Sequence, residues 1–329
     1  MNPAKDIIRV LLDADTWVLL SHEKPDGDTL GSCSALYQRG ISLGKECFWI
    51  GPDRIPAVYN FLPGTGNYRV PEPGFIQDAK PGSAVVVLDT ANKSRTVEGL
   101  SELPKEVSVL NIDHHGDNTM YGTLNWIDDN SSSVGEMVFE LFETAHWEPV
   151  PEEAKSILAA IATDTGFFRF PCTSAKTLST ASRLVAFGAD ISDIYQKIHE
   201  NRTINGLRLW GRGLERARTH HSGCLGLTWL EKKDFISTNA DRDECENLVN
   251  SLLAISGVVM AVLLQEEDGF CRASIRTREP VDSRKFAELW GGGGHSRASG
   301  CKIHGTLEKA LKEVEKKAGF LDEIGVSCS

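Results

Sequence analysis

The sequence predicts an α/β protein: an N-terminal parallel-sheet domain over residues 1–189 and a smaller α+β domain over 219–329, joined by a helical linker over 190–218. Three observations predict it. Four short runs, Thr16–Ser21, Glu46–Ile50, Ala84–Leu88 and Val107–Ile112, are apolar at consecutive positions, so both faces must be covered, as in a parallel sheet flanked by helices. Helical patterns lie between them. A chain of 329 residues also exceeds what one hydrophobic core readily organises.

Taken in order, the first strand leads through a polar turn into a helical run, Gly31–Arg39. A later helix, Glu152–Ala162, has Pro151 at its first position, where no N–H is needed. From about Asp190 to Arg218 the pattern is helical and polar without a strand signal. Beyond it, strands are expected near Cys224–Leu230, Val258–Gln265 and Phe270–Arg276, with a helix, Asp241–Ala254, between the first two. Gly291–Gly294 interrupts this domain and Leu307–Ala318 closes it as an amphipathic helix. His220 and His221 read as ordinary strand or loop residues, and the tryptophans as packing, with Trp290 beside the glycines the least settled of them.

Composition excludes several classes. The longest apolar stretch, Val258–Leu264, covers seven residues, whereas a membrane span needs about 20. The first apolar segment is broken by Arg9, Asp13 and Asp15, so no signal peptide can be made from it. Eight cysteines form no CxxC pair and read as free thiols of a reducing, cytoplasmic compartment. A net charge of −11 argues against long nucleic acid as a partner. An anionic substrate then needs a local basic patch, and residues 272–302 offer one, with seven Lys or Arg against three acids.

The chemistry concentrates in four motifs. His22, Asp26 and Asp28 occupy a strand-to-helix turn, Ser21-His-Glu-Lys-Pro-Asp-Gly-Asp28, which Pro25 and Gly27 bend. Asp89 ends the apolar strand Val85–Leu88, a place where a helix cap would also fit. Asp113, His114 and His115 end the next strand, a succession that packing does not explain. Asp164 follows the apolar helix Ile157–Ala162, where the helix dipole repels a carboxylate and a cation would relieve it. Imidazole and carboxylate without thiolate suit Mn²⁺ or Mg²⁺ better than structural zinc. Two such cations about 3.5–4 Å apart lower the pKa of a water and clamp phosphoryl oxygens during in-line attack.

His22-x-x-Pro-Asp26-Gly-Asp28, Asp89, Asp113-His114-His115 and Thr163-Asp164-Thr-Gly resemble the four motifs of the DHH phosphoesterase superfamily. Gly291-Gly-Gly-Gly-His295-Ser-Arg-Ala-Ser-Gly300 is similar to the glycine-rich signature of the DHHA1 domain. Order and spacing resemble the short oligoribonuclease/pAp-phosphatase branch. The resemblance implies two divalent cations, Mn²⁺ first and Mg²⁺ or Co²⁺ also suited. His22 and Asp26 would bind one, Asp28, His114 and Asp164 the other, and Asp89 would bridge. Asp113 would orient an imidazole and His115 would meet the substrate phosphate. Arg276, with Gly292, Gly293, Gly294 and His295, would hold the substrate in the second domain.

The activity so implied is degradation of very short RNA to 5′-mononucleotides and 3′-dephosphorylation of pAp to AMP. Linear or cyclic signalling dinucleotides such as pApA or c-di-AMP are the nearest alternative substrates. A pyrophosphatase would lack the Gly291–Gly300 signature, and a long-strand exonuclease would need a further binding domain. A non-catalytic nucleotide-binding regulator would have no use for six intact ligands. A homodimer is compatible with all of these readings.

Overall fold

The parallel strands expected in the first half do form one sheet. The computed structural model describes residues 3–72, 76, 79–200, 202–245, 247–294 and 296–323. Its chain divides into two compact units, residues 1–201 and 202–329.

In the first unit, α1 (Pro3–Asp13) leads into β1 (Thr16–Leu20), α2 (Gly27–Ser42), β2 (Glu46–Ile50), the short β3 (Tyr68–Arg69), β4 (Ser83–Leu88), β5 (Ser108–Asp113) and β6 (Leu124–Ile127). Helices α3 (Val134–Thr144), α4 (Pro151–Asp164), α5 (Ala175–Ala186) and α6 (Ile191–His199) follow. The strand order is β3-β2-β1-β4-β5-β6, every pairing being parallel. The sheet is therefore built outward in both directions from β1 and β4, and the crevice beyond their carboxyl ends is where ligands of such sheets collect.

Alternate residues of the strands supply the two faces. Trp17, Leu19, Val86, Leu88, Leu110 and Ile112 pack with residues of α1 to α4 in the larger core. Val18, Leu20, Val85, Val87 and Val109 face the other way, where Ile76, Val97 and the half-buried Tyr121 cover them. Each such side chain contributes about 1.5–3 kcal/mol by leaving water.

In the second unit, α7 (Ile204–Glu215) precedes β7 (Arg218–His220), β8 (Leu225–Leu230), α8 (Lys232–Thr238), α9 (Leu248–Leu253), β9 (Met260–Glu266), β10 (Phe270–Thr277), α10 (Ser283–Glu288), β11 (Gly293–Gly294), β12 (Ala298–His304) and α11 (Leu307–Lys317). Their order is β11-β12-β10-β9-β8-β7, mixed because β8 and β9 run parallel while the other pairs are antiparallel. The segment expected as a linker is shared out: Ile194 of α6 joins the first unit's core and Leu209 of α7 a core of the second.

Two local readings change. α2 begins at Gly27, not Gly31, because the Asp26 carboxylate accepts from the N–H groups of Asp28 and Thr29 and caps the helix there. Asp28 thus belongs to a helical turn and not to a loop. The helix expected over Asp241–Ala254 is broken: a 3₁₀ turn, Arg242–Cys245, precedes α9, and Asn247 between them has φ 66°. The readings of His221 as an ordinary residue and of Trp290 as packing stand: His221 is hydrogen-bonded to Asp322, and Trp290 packs on Phe286 with its N–H on Glu313. All described cysteines are free, and among the described residues no helix is long and apolar enough to cross a membrane.

Candidate metal centre

Six of the eight N-terminal candidates converge in two groups. Ligand atoms of His22, Asp26 and Asp89 lie within 4.8 Å of one another, and so do those of Asp28, His114 and Asp164. Asp89 reaches toward both. Its Oδ2 lies 3.4 Å from His22 Nε2 and its Oδ1 3.6 Å from His114 Nε2. His115 also comes within this range of Asp89 and His114.

The strands and helices explain the convergence. β1, β4 and β5 are adjacent, so the residues after them, His22, Asp89 and His114, emerge side by side. α2 and α4 bring the remaining carboxylates. Their close approach needs Gly27 and Gly31: a Cβ at Gly27 would overlap the Thr163 side chain, and one at Gly31 the carbonyl of Ser156. Asp164 ends α4 beside His114, 3.5 Å from Oδ2 to Nε2.

The tautomers can be read from the partners. His22 Nδ1 lies 2.7 Å from the Glu23 carbonyl and His114 Nδ1 3.3 Å from the Ser131 carbonyl. A carbonyl only accepts, so each Nδ1 carries the proton and Nε2 turns to the carboxylates, as a metal-binding imidazole does. Asp28 is held by the first N–H groups of α3, from Val134 at 2.7 Å and Gly135 at 2.8 Å. Asp113, fully buried, bonds His115 Nδ1 at 2.8 Å through one oxygen and accepts from the Asn118 amide at 2.6 Å through the other. The imidazole it orients is therefore that of His115. Sequence reading missed Asn118, Ser131 and the α3 amides, because no residue type marks a group that acts through its neighbour.

Charge in this cluster is unbalanced. Burial, then the charges of Asp89, Asp164 and Asp26, pushes the Asp28 carboxyl well above the usual range. Burial likewise raises Asp164 to about 7, against the pull of His114. The imidazoles respond. Burial disfavours the charged form of His22, yet hydrogen bonding to Asp26 and Asp89 overrides it and lifts the group to about 10. The Asp113 bond lifts His115 to about 9. Asp89 Oδ1 meanwhile is buried without a hydrogen-bond partner, an expensive state for a carboxylate oxygen. Protons gathered on imidazoles beside an orphaned carboxylate mark a place that a cation fits, since it would replace the protons and occupy the orphan.

In the second unit, Arg276 and Arg272 lie on the polar face of β10, with Ser274 between them. They line a cleft of about 400 Å³ shared with Arg242, Asn247 and Gln265. Packing accounts for part of the glycine run. A Cβ at Gly292 would strike the Gly300 carbonyl, and Gly293 and Gly294 pair with Gly300 and Ser299 as β11. Only Gly293 of these three faces open space. His295 lies outside the described residues.

Fold and site together define a family. The DHH family, N-terminal domain, matches residues 16–163, and the DHHA1 domain matches residues 231–319. The chain belongs to the DHH family, in its form with a DHHA1 domain. Among its relatives is a bifunctional oligoribonuclease and PAP phosphatase NrnA of Thermus thermophilus, 32% identical over 92% of this chain and 91% of the relative. The Bacillus subtilis protein of the same name is 31% identical over 91% and 93%. A solved exopolyphosphatase-related protein from Bacteroides fragilis is similar over 98% of this chain and 97% of its own, with a TM-score of 0.88 and 26% identity.

Proposed function

We propose that this chain hydrolyses phosphoester bonds in short nucleotides, cutting very short RNA to 5′-mononucleotides and pAp to AMP, with two divalent cations held by His22, Asp26, Asp28, Asp89, His114 and Asp164. The observation that carries the reading is Asp89, whose two oxygens face separate imidazole–carboxylate groups while Oδ1 has no hydrogen-bond partner. The names of the Thermus and Bacillus relatives support the substrate class. Mn²⁺ is the first choice of cation on the family resemblance, and the donor set suits Mn²⁺ or Mg²⁺ better than structural zinc.

Bound there, the cations supply an acidified water and neutralise phosphoryl charge. The chain's own residues do the rest. The Glu23 and Ser131 carbonyls keep the Nε2 atoms of His22 and His114 turned inward. Asp113, tied to Asn118, favours the charged form of His115, which leaves Nε2–H of that ring to donate to a phosphoryl oxygen as charge develops. Arg272, Ser274 and Arg276 offer donors to an anionic group of a nucleotide. The chain is acidic overall, at −11, which disfavours long strands.

A Mn²⁺-dependent hydrolysis panel tests this: pAp, pApA, two- to five-residue RNA, a 24-residue strand, c-di-AMP and pyrophosphate. The expected result is fastest turnover of pAp and the shortest RNAs. Preference for the 24-residue strand or for pyrophosphate would sink the reading, and preference for pApA or c-di-AMP would move it to signalling dinucleotides.

A further inference from the structure

Glu136 is a carboxylate that the proposed chemistry leaves unused, though it is 1% exposed in the first turn of α3. Its Oε2 accepts hydrogen bonds from Ser132 Oγ at 2.5 Å and Thr177 Oγ1 at 2.8 Å, with Ser132 N–H at 3.4 Å. Its Oε1 has no hydrogen-bond partner, Lys176 Nζ standing 3.6 Å away. A buried carboxylate so incompletely paired is costly, and an apolar side chain would pack there at less expense.

What Glu136 holds explains it. Residues 131–136 form a hook in which Ser133 Oγ caps α3, accepting from the Glu136 N–H at 3.1 Å. The hook turns three backbone groups toward the metal centre. The Ser131 carbonyl accepts from His114 Nδ1 at 3.3 Å, and the Val134 and Gly135 N–H groups donate to Asp28. Asp28 comes from α2 and His114 follows β5, yet one segment aims both. Behind it, Glu136 fastens Ser132 to Thr177 of α5. The other group is held separately: His22 by the Glu23 carbonyl, and Asp26 by the N–H groups at the start of its own helix.

We infer that Glu136 is a positioning residue for the Asp28–His114–Asp164 half of the metal centre, clamping the hook that aims Asp28 and His114 at one cation. The inference rests on the metal-centre reading above. Its consequence is asymmetric: loosening the clamp weakens one of two cation sites and spares the other.

Mn²⁺ binding isotherms on the full chain, read by the EPR signal of free Mn²⁺, test it on wild type, E136A, E136Q and T177V, beside melting curves in chelator. Wild type is expected to take up two equivalents. E136A should weaken one of them by about 10–100-fold, the usual cost of losing a group behind a metal ligand, and leave the other unchanged. E136Q keeps an acceptor for Ser132 and Thr177 and should restore the weakened site. T177V should show a smaller loss at the same site, and it answers the question if E136A does not fold. Two unaltered equivalents in E136A and T177V, or equal losses at both sites tracking the fall in Tm, would overturn the clamp alone. A wild-type chain taking up no Mn²⁺ would overturn the metal-centre reading and the clamp with it.

Discussion

Asp89 has φ 57°, a left-handed backbone that costs a side-chain-bearing residue about 1–2 kcal/mol. Its orphaned Oδ1 adds a further cost. Neither is explained by packing, and cation binding by the two groups would give the orphaned oxygen a partner and offset that cost. His115 is the residue whose role the geometry leaves most open to test. Its Nδ1 is 2.8 Å from Asp113 and 3.6 Å from Asp89, and its ring lies within ligand range of Asp89 and His114, so it could act either as a ligand or as a proton donor beside the centre. H115A is expected to keep both metal equivalents while turnover falls by about 10²-fold or more, the scale of a lost proton donor. Metal content and steady-state rates measured on one preparation check this. Loss of one equivalent would place His115 among the ligands.

At the scale of elements, the centre depends on how closely α2 can lie against α4. A methyl group at Gly27 would overlap Thr163, the neighbour of Asp164. G27A should therefore separate Asp26 and Asp28 from Asp164, lowering stability by about 1–3 kcal/mol as overpacking does and weakening Mn²⁺ binding. G66A, where nothing lies within 4 Å, is the control. Denaturant midpoints and isotherms for the two variants decide it, and equal behaviour would remove the helix contact from the account. The sequence showed Pro25 and Gly27 as turn formers, which was half of the matter. Gly27 also serves a tertiary contact with a residue 136 positions later, invisible without the packing. The break at Asn247 was hidden for a similar reason, since the flanking apolar residues keep a helical spacing across it.

For the whole molecule, the cluster couples stability to pH through protons that a cation would displace. Without metal, Asp164 at about 7 keeps its proton in the folded chain where the unfolded chain, at 3.8, has released it. Stability then falls as pH rises from about 4 to 7, because the folded state binds more protons. His22 and His115 extend the fall. Raised from 6.5 to about 10 and about 9, they stabilise fully below pH 6.5, and that stability is lost as pH climbs through the raised values. Thermal melts from about pH 5 to 9 should show Tm declining in chelator and flat or rising with saturating Mn²⁺, since cation binding releases those protons. An identical slope in both conditions would detach the titrating cluster from metal binding.

The sequence by itself determined the parallel sheet, the position of each acidic motif at the end of an apolar run, and the family resemblance that followed. Such features are local: consecutive apolar residues demand burial on both faces, and polar residues at their ends have nowhere to go but the crevice. Only the tertiary structure decided which carboxylate faces which imidazole, that Asp113 serves His115, and that Asp28 and His114 share one support. The glycine run shows the same division, since its composition does not reveal that Gly293 and Gly294 pair with Gly300 and Ser299 as a short strand. Partner choice is set by chain segments far apart in sequence meeting within a few ångströms, and no residue type or spacing along one segment encodes where the other will arrive.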